Sequence, residues 1–224
     1  MRFKIDVHFN LKNVRINRII RYLILVDLFF WGGWGLINPI FALFVVNRVA
    51  GATIFTVGLA SGLYWIIKSA FQIPVAIYLD RHEGEQDDFQ ALIIGLTVAG
   101  FAALVFPLAN SIGALIVVVV VQAIAYGLYT PSWSAIFSRH LDGNHYAFDW
   151  SLDSTTVGVA SGVAAFVGGA IADLFGFNMV FILAGILSLA SALLLFSAPH
   201  LVLPKATSNP GPVIPEHAPG EPKM

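Results

Sequence analysis

The chain has 224 residues, of which 58% are hydrophobic and 11% charged, with a net charge of −1. A soluble globular domain carries roughly 25% charged residues, and so few charges cannot cover the outside of a soluble fold this size. A soluble enzyme, a nucleic-acid-binding protein and a disordered regulator are excluded on that ground. The mean hydropathy of +0.81 and the grouping of apolar residues in long runs point to an all-α polytopic membrane protein. No Cys is present, which removes disulfides, thiolate metal sites and Cys nucleophiles.

Residues 1–21 are basic, with Arg2, Lys4, Lys12, Arg15, Arg18 and Arg21. They are too polar for a secretory signal and are expected to lie at an inner membrane surface beside anionic lipid. Residues 22–199 form the membrane domain. A helix needs about 20 mostly apolar residues to cross the hydrocarbon core, and six such stretches are read: 22–46, 53–79, 89–109, 111–137, 150–174 and 178–198. Residues 200–224 contain six Pro and several small polar residues. That composition predicts a disordered tail.

With the N-terminus inside, ten of the twelve Lys and Arg fall on the inner side. Arg48 falls outside and Lys68 within a span. This positive-inside bias predicts a multi-pass protein of the cell membrane with both termini cytoplasmic.

Two segments recur. Gly35-Leu36-Ile37-Asn38-Pro39 matches Gly127-Leu128-Tyr129-Thr130-Pro131, and Thr56-Val57-Gly58-Leu59-Ala60-Ser61-Gly62-Leu63 matches Thr156-Val157-Gly158-Val159-Ala160-Ser161-Gly162-Val163. The first pair relates spans one and four, the second spans two and five. A duplication of three spans must place the second copy upside down, giving a 3+3 inverted repeat. Pro39 and Pro131 each remove a backbone donor inside an apolar span, which is tolerated only where protein or a water-filled cavity satisfies the freed groups. The Gly58/Gly62 and Gly158/Gly162 pairs form small faces that let helix backbones approach closely.

Between spans two and three the chain reads Ala76-Ile77-Tyr78-Leu79-Asp80-Arg81-His82-Glu83-Gly84. This resembles the Gly-x-x-x-Asp-Arg-x-Gly motif of the major facilitator superfamily. Asp80 and Arg81 match. Ala76 stands where the family has Gly, Gly84 comes one residue late, and Glu85, Asp87 and Asp88 replace the family's basic residues. The Gly-rich fifth span, with Gly158, Gly162, Gly168 and Gly169, is also similar, though without the Gly-Pro step of drug antiporters. The resemblance covers one six-helix half of the usual twelve-helix transporter. It implies a secondary active transporter of a small organic solute, working as a parallel homodimer with its cavity on the two-fold axis. It also implies that Asp80 and Arg81 form a conformational gating loop. The alternative is a non-transporting scaffold or sensor that kept the fold.

Charges inside a membrane are costly and by default mark function. Asp27 and Lys68 are therefore candidates for a substrate and proton pathway, either separately or as a pair pinning the first two spans. Burial favours Asp27 as the proton-coupling carboxyl. Asn38, Trp34, Trp65, Gln72, Gln122, Tyr126 and Thr130 join them, with Trp31, Tyr64 and Tyr129 nearby. Apolar walls with a few placed polar groups suit a small organic substrate. Asp153 reads as a helix N-terminal carboxylate. No His lies at mid-span, no phosphate-binding loop is present and no catalytic set is recognised. No metal, cofactor or enzymatic activity is expected. The expected partners are lipid, a second copy and a small-molecule substrate.

Overall fold

The computed structural model describes residues 17–81, 84–141 and 146–197. The expectations for the basic N-terminal segment before residue 17, for His82 and Glu83 of the gating motif, and for the tail from residue 198 lie outside the described residues. Seven α-helices follow in chain order: α1 Arg18–Ile37, α2 Phe41–Arg48, α3 Ile54–Asp80, α4 Gln86–Val105, α5 Ile112–Arg139, α6 Tyr146–Phe175 and α7 Phe177–Ser197. A short 3-10 turn, Phe106–Leu108, extends α4. Six of these segments, all but α2, are long and apolar enough to cross a membrane.

The first predicted span is split. Pro39 has no N–H for the carbonyl of Gly35, and α1 ends there. Ile40 N–H bonds back to Ile37 O at 3.0 Å, and α2 restarts with Phe44 N–H on Ile40 O at 2.9 Å. The other ends carry their own local reasons. Asn17 caps α1 by accepting from Ile19 N–H at 3.0 Å, and its amide donates to His140 O at 3.1 Å. Thr53 and Thr56 make a capping box at α3. Ser111 caps α5, accepting from Ala114 N–H at 3.3 Å. The break at Asn110, which hardly any polar sequence marks, is pinned from outside by Ala50 N–H on Asn110 O at 3.0 Å. Gly176, at φ 83°, makes the turn between α6 and α7 that an L side chain would resist.

Packing is exchanged between the two halves of the chain. α1 lies against α6 and α7, α5 lies against α3 and α4, and α4 lies against α7. Each copy of the repeat thus receives the first helix of the other. Glycines allow the crossings. A Cβ on Gly35 would sit 2.8 Å from Ser161 Cα, and one on Gly168 would sit 2.8 Å from Leu36 Cα. At the α4–α7 crossing, a Cβ on Gly185 would lie 3.0 Å from Gly100 O.

The recurring Gly58, Gly62, Gly158 and Gly162 do not take part. A Cβ on any of them meets nothing within 4 Å, so within this chain they do not serve the close approach expected of them. They lie on α3 and α6, the two helices with least cover. In the most apolar stretch of each span, 11% of α3 and 6% of α6 is buried inside the bundle, against 44–56% for the other four.

Candidate functional site

A cavity of about 340 Å³ opens between α1, α2, α3 and α5. Helical spacing explains its wall. Trp31, Trp34 and Asn38 project from one side of α1 and its broken end, at intervals of three and four residues. Ala60, Tyr64 and Lys68 recur every four residues on α3, and Val119, Gln122 and Tyr126 follow at intervals of three and four on α5. Six of the nine residues expected to line a pathway come together here: Lys68, Asn38, Trp34, Trp65, Gln122 and Tyr126.

Three do not. Gln72 is half-buried one turn beyond Lys68 and does not line the cavity. Thr130 turns its hydroxyl onto its own helix, donating to Tyr126 O at 2.9 Å. Asp27 is buried, with 2% of its surface exposed, and lies outside the cavity wall.

Asp27 and Lys68 do not pair; no contact within 4 Å joins them. Asp27 Oδ1 accepts from the Tyr129 hydroxyl at 2.6 Å, and that hydroxyl accepts from Trp31 Nε1 at 3.2 Å. Lys68 Nζ lies 5.0 Å from the centre of the Trp65 ring instead. Between the carboxylate and the cavity stand aromatic rings. Phe30 packs on Tyr129 at 4.5 Å between centroids and on Tyr126 at 5.2 Å, and Tyr126 meets Trp34 at 5.5 Å and Tyr64 at 5.6 Å. A buried carboxylate held by the Tyr129 phenol, with the Trp31 indole beside it, is far from fully solvated, and such a group is retained only at a cost.

A second acid was misplaced by sequence reasoning. Asp153 does not begin a helix. It sits in the third turn of α6, 7% exposed, and its Oδ1 has no hydrogen-bond partner. The acid in the first turn is Asp149. Cap rules failed because α6 starts at least four residues before the apolar stretch does.

At the far end of α3, Asp80 and Arg81 are both exposed. The ion pair lies beside them, between Asp88 of α4 and Arg139 of α5, and Asp88 is fully buried. His140 Nε2 lies 3.7 Å from Glu85 Oε2. Of the acidic residues that replaced the family's basic ones, Asp88 thus finds its partner on α5, 51 residues away, and Glu85 lies near His140 just past the end of that helix.

Residues 23–222 match the profile of the Major Facilitator Superfamily. The chain belongs to this superfamily. It is 23% identical over 162 residues to an uncharacterized MFS-type transporter of Methanocaldococcus jannaschii, a match covering 72% of this chain and 40% of that one. It also superposes on the in meso crystal structure of the POT family transporter PepTSo, with a TM-score of 0.70 and 15% identity. That match covers 94% of this chain and 40% of the other. The chain therefore spans about 40% of the length of these relatives. It is a multi-pass helical membrane protein of this superfamily.

Proposed function

We propose that the protein carries a small organic solute across the membrane by secondary active transport, coupled to protons at Asp27. The observation that carries this is the cavity between the broken end of α1 and the middle of α3 and α5, with a buried carboxylate one aromatic layer behind it. Protonation of Asp27 would remove the charge that Tyr129 now stabilises. That changes how tightly α5 is held to α1 beside the cavity.

The functional unit in this reading is a parallel pair of copies. The repeat is inverted within each copy, and the inner side carries the basic residues, so both copies share one orientation. Their contact is made by α3 and α6, whose open Gly58/Gly62 and Gly158/Gly162 faces supply the small surfaces on which helices associate in lipid. The exposed Trp65 and half-buried Lys68 at the cavity rim support this, because a second copy would close that side.

Two measurements test the reading. A pH dye trapped in proteoliposomes reports proton entry when a panel of solutes is added outside. Asp27→Asn is expected to abolish solute-dependent proton entry, and persistence of that signal sinks the coupling role. The mass of the protein in lipid discs is expected to be twice 24.2 kDa. Gly58→Leu together with Gly158→Leu is expected to convert it to the single mass. A single mass in the parent protein overturns the homodimer. If a Cys at position 27 is sealed from reagents on both sides, the scaffold reading replaces transport.

A further inference from the structure

The cavity has donors in excess and no anion. Lys68 is half-buried and midway along α3, about 20 Å from either end at 1.5 Å per residue, too deep for a lipid headgroup. Among the described residues no carboxylate lies within 4 Å of its ammonium group. Its partner is the face of Trp65, which offers a cation only the field of a ring quadrupole. Trp34 lines the same cavity, is 4% exposed, and its indole N–H has no acceptor. A buried donor left unmatched is costly, so the Trp34 indole N–H, facing the same cavity as the unpaired ammonium of Lys68, calls for an explanation. Asn38 and Gln122 add two amides, which can complete either a donor or an acceptor.

The geometry points to a binding site for a monoanionic organic acid, a carboxylate on an aromatic or other flat apolar body. This rests on the transport reading in taking the cavity as the solute site. The carboxylate would lie against Lys68 and accept from Trp34. The amides would take its remaining lone pairs, and the apolar body would fill the space among Trp31, Tyr64 and Tyr126. One cation matches one negative charge. A dianion would leave a charge uncompensated in a low-dielectric site, and an amine would meet the like charge of Lys68. The volume of about 340 Å³ is at the small end for ligand pockets and accommodates one or two rings.

The probes are naphthalene-2-carboxylate, its carboxamide and 2-naphthylmethylamine, added to the full chain in lipid discs. A ligand that binds only the folded state raises the melting midpoint. The carboxylate alone is expected to raise it. Lys68→Gln is expected to remove that shift and Lys68→Arg to retain it. An equal shift with the amide or the amine overturns the site, as does a carboxylate shift that survives Lys68→Gln, or no shift with any of the three. Should Lys68→Gln fail to fold, Trp34→Phe carries the test. Loss of a hydrogen bond to a charged group is expected to weaken carboxylate binding about tenfold, and unchanged affinity overturns the proposal. Counterflow of labelled naphthalene-2-carboxylate separates this inference from the transport reading. Binding without counterflow keeps the anion site and removes transport. Counterflow of neutral or cationic solutes, without carboxylate binding, does the reverse.

Discussion

The same five-residue pattern, Gly-Leu-x-x-Pro, ends in two different structures. At Pro39 the helix stops, turns and restarts as α2. At Pro131 it runs on, and α5 is continuous from Ile112 to Arg139. The neighbours differ. Thr130 and Ser132 flank Pro131, and their hydroxyls donate to Tyr126 O at 2.9 Å and Leu128 O at 2.8 Å, on either side of the Gly127 carbonyl that the proline leaves unmatched. Pro39 has Asn38 and Ile40, which make no such bonds; Asn38 lines the cavity instead. A proline in an apolar span thus decides little by itself. α3 also runs on through Pro74, which Ile73 and Val75 flank. Flanking hydroxyls thus accompany the unbroken helix at Pro131 without being required for one, and the cavity is what lies beside the break at Pro39.

The glycines of the two patterns offer the hardest test of this contrast. A Cβ on Gly35 meets Ser161 backbone at 2.8 Å, whereas one on Gly127 meets the Phe71 side chain at 3.1 Å. Backbone cannot yield and a side chain can. Gly35→Ala is expected to destabilise by about 2 kcal/mol and Gly127→Ala by less than about 1 kcal/mol, measured by unfolding in mild detergent. Equal losses would remove the distinction between the two crossings.

A smaller effect is expected from the prolines. Pro39→Ala supplies the missing N–H and lets α1 join α2, so amide exchange at Ile40 and Phe41 slows about tenfold, roughly 1.4 kcal/mol. Pro131→Ala changes exchange at residues 127–130 and 132–134 by less than about threefold, because that helix is already whole. Comparable slowing at both sites would show that Pro131 strains α5 as well.

The smallest effect sharpens the role of the hydroxyls. Thr130→Val with Ser132→Ala is expected to cost about 1 kcal/mol when Pro131 is present and close to nothing in Pro131→Ala. If the cost is the same in both backgrounds, the hydroxyls act elsewhere.

Much of this architecture is written in local sequence. The six apolar stretches are recognisable because a crossing helix must be apolar for its full length. Their ends are less so. α1, α4 and α6 begin at Arg18, Gln86 and Tyr146, before the apolar runs, because a helix continues into its polar first turn. The cavity wall is partly legible, since polar and aromatic residues in apolar spans are few. Its limits are not. Gln72 and Thr130 look as suitable as Gln122, and only the rotation of each helix separates them. The partner of Asp27 is hidden for the same reason. Tyr129 is 102 residues away, and its one local sign is that it replaces Ile37 of the first copy. Likewise the small faces of α3 and α6 show which surfaces can be approached closely, and sequence does not name what approaches.

The bond between Tyr129 and Asp27 also sets a timetable for making the protein. Chains are synthesised at about 5–20 residues per second, so the 102 residues between them take roughly 5–20 s. During that interval α1 enters the bilayer with its carboxyl unmatched, a penalty near 3 kcal/mol on insertion scales. The apolar remainder of α1, from Ile19 to Ile37, must hold the helix in place until the fourth crossing emerges. Nascent chains halted before residue 129 are therefore the stage at which the first helix is most easily lost to quality control.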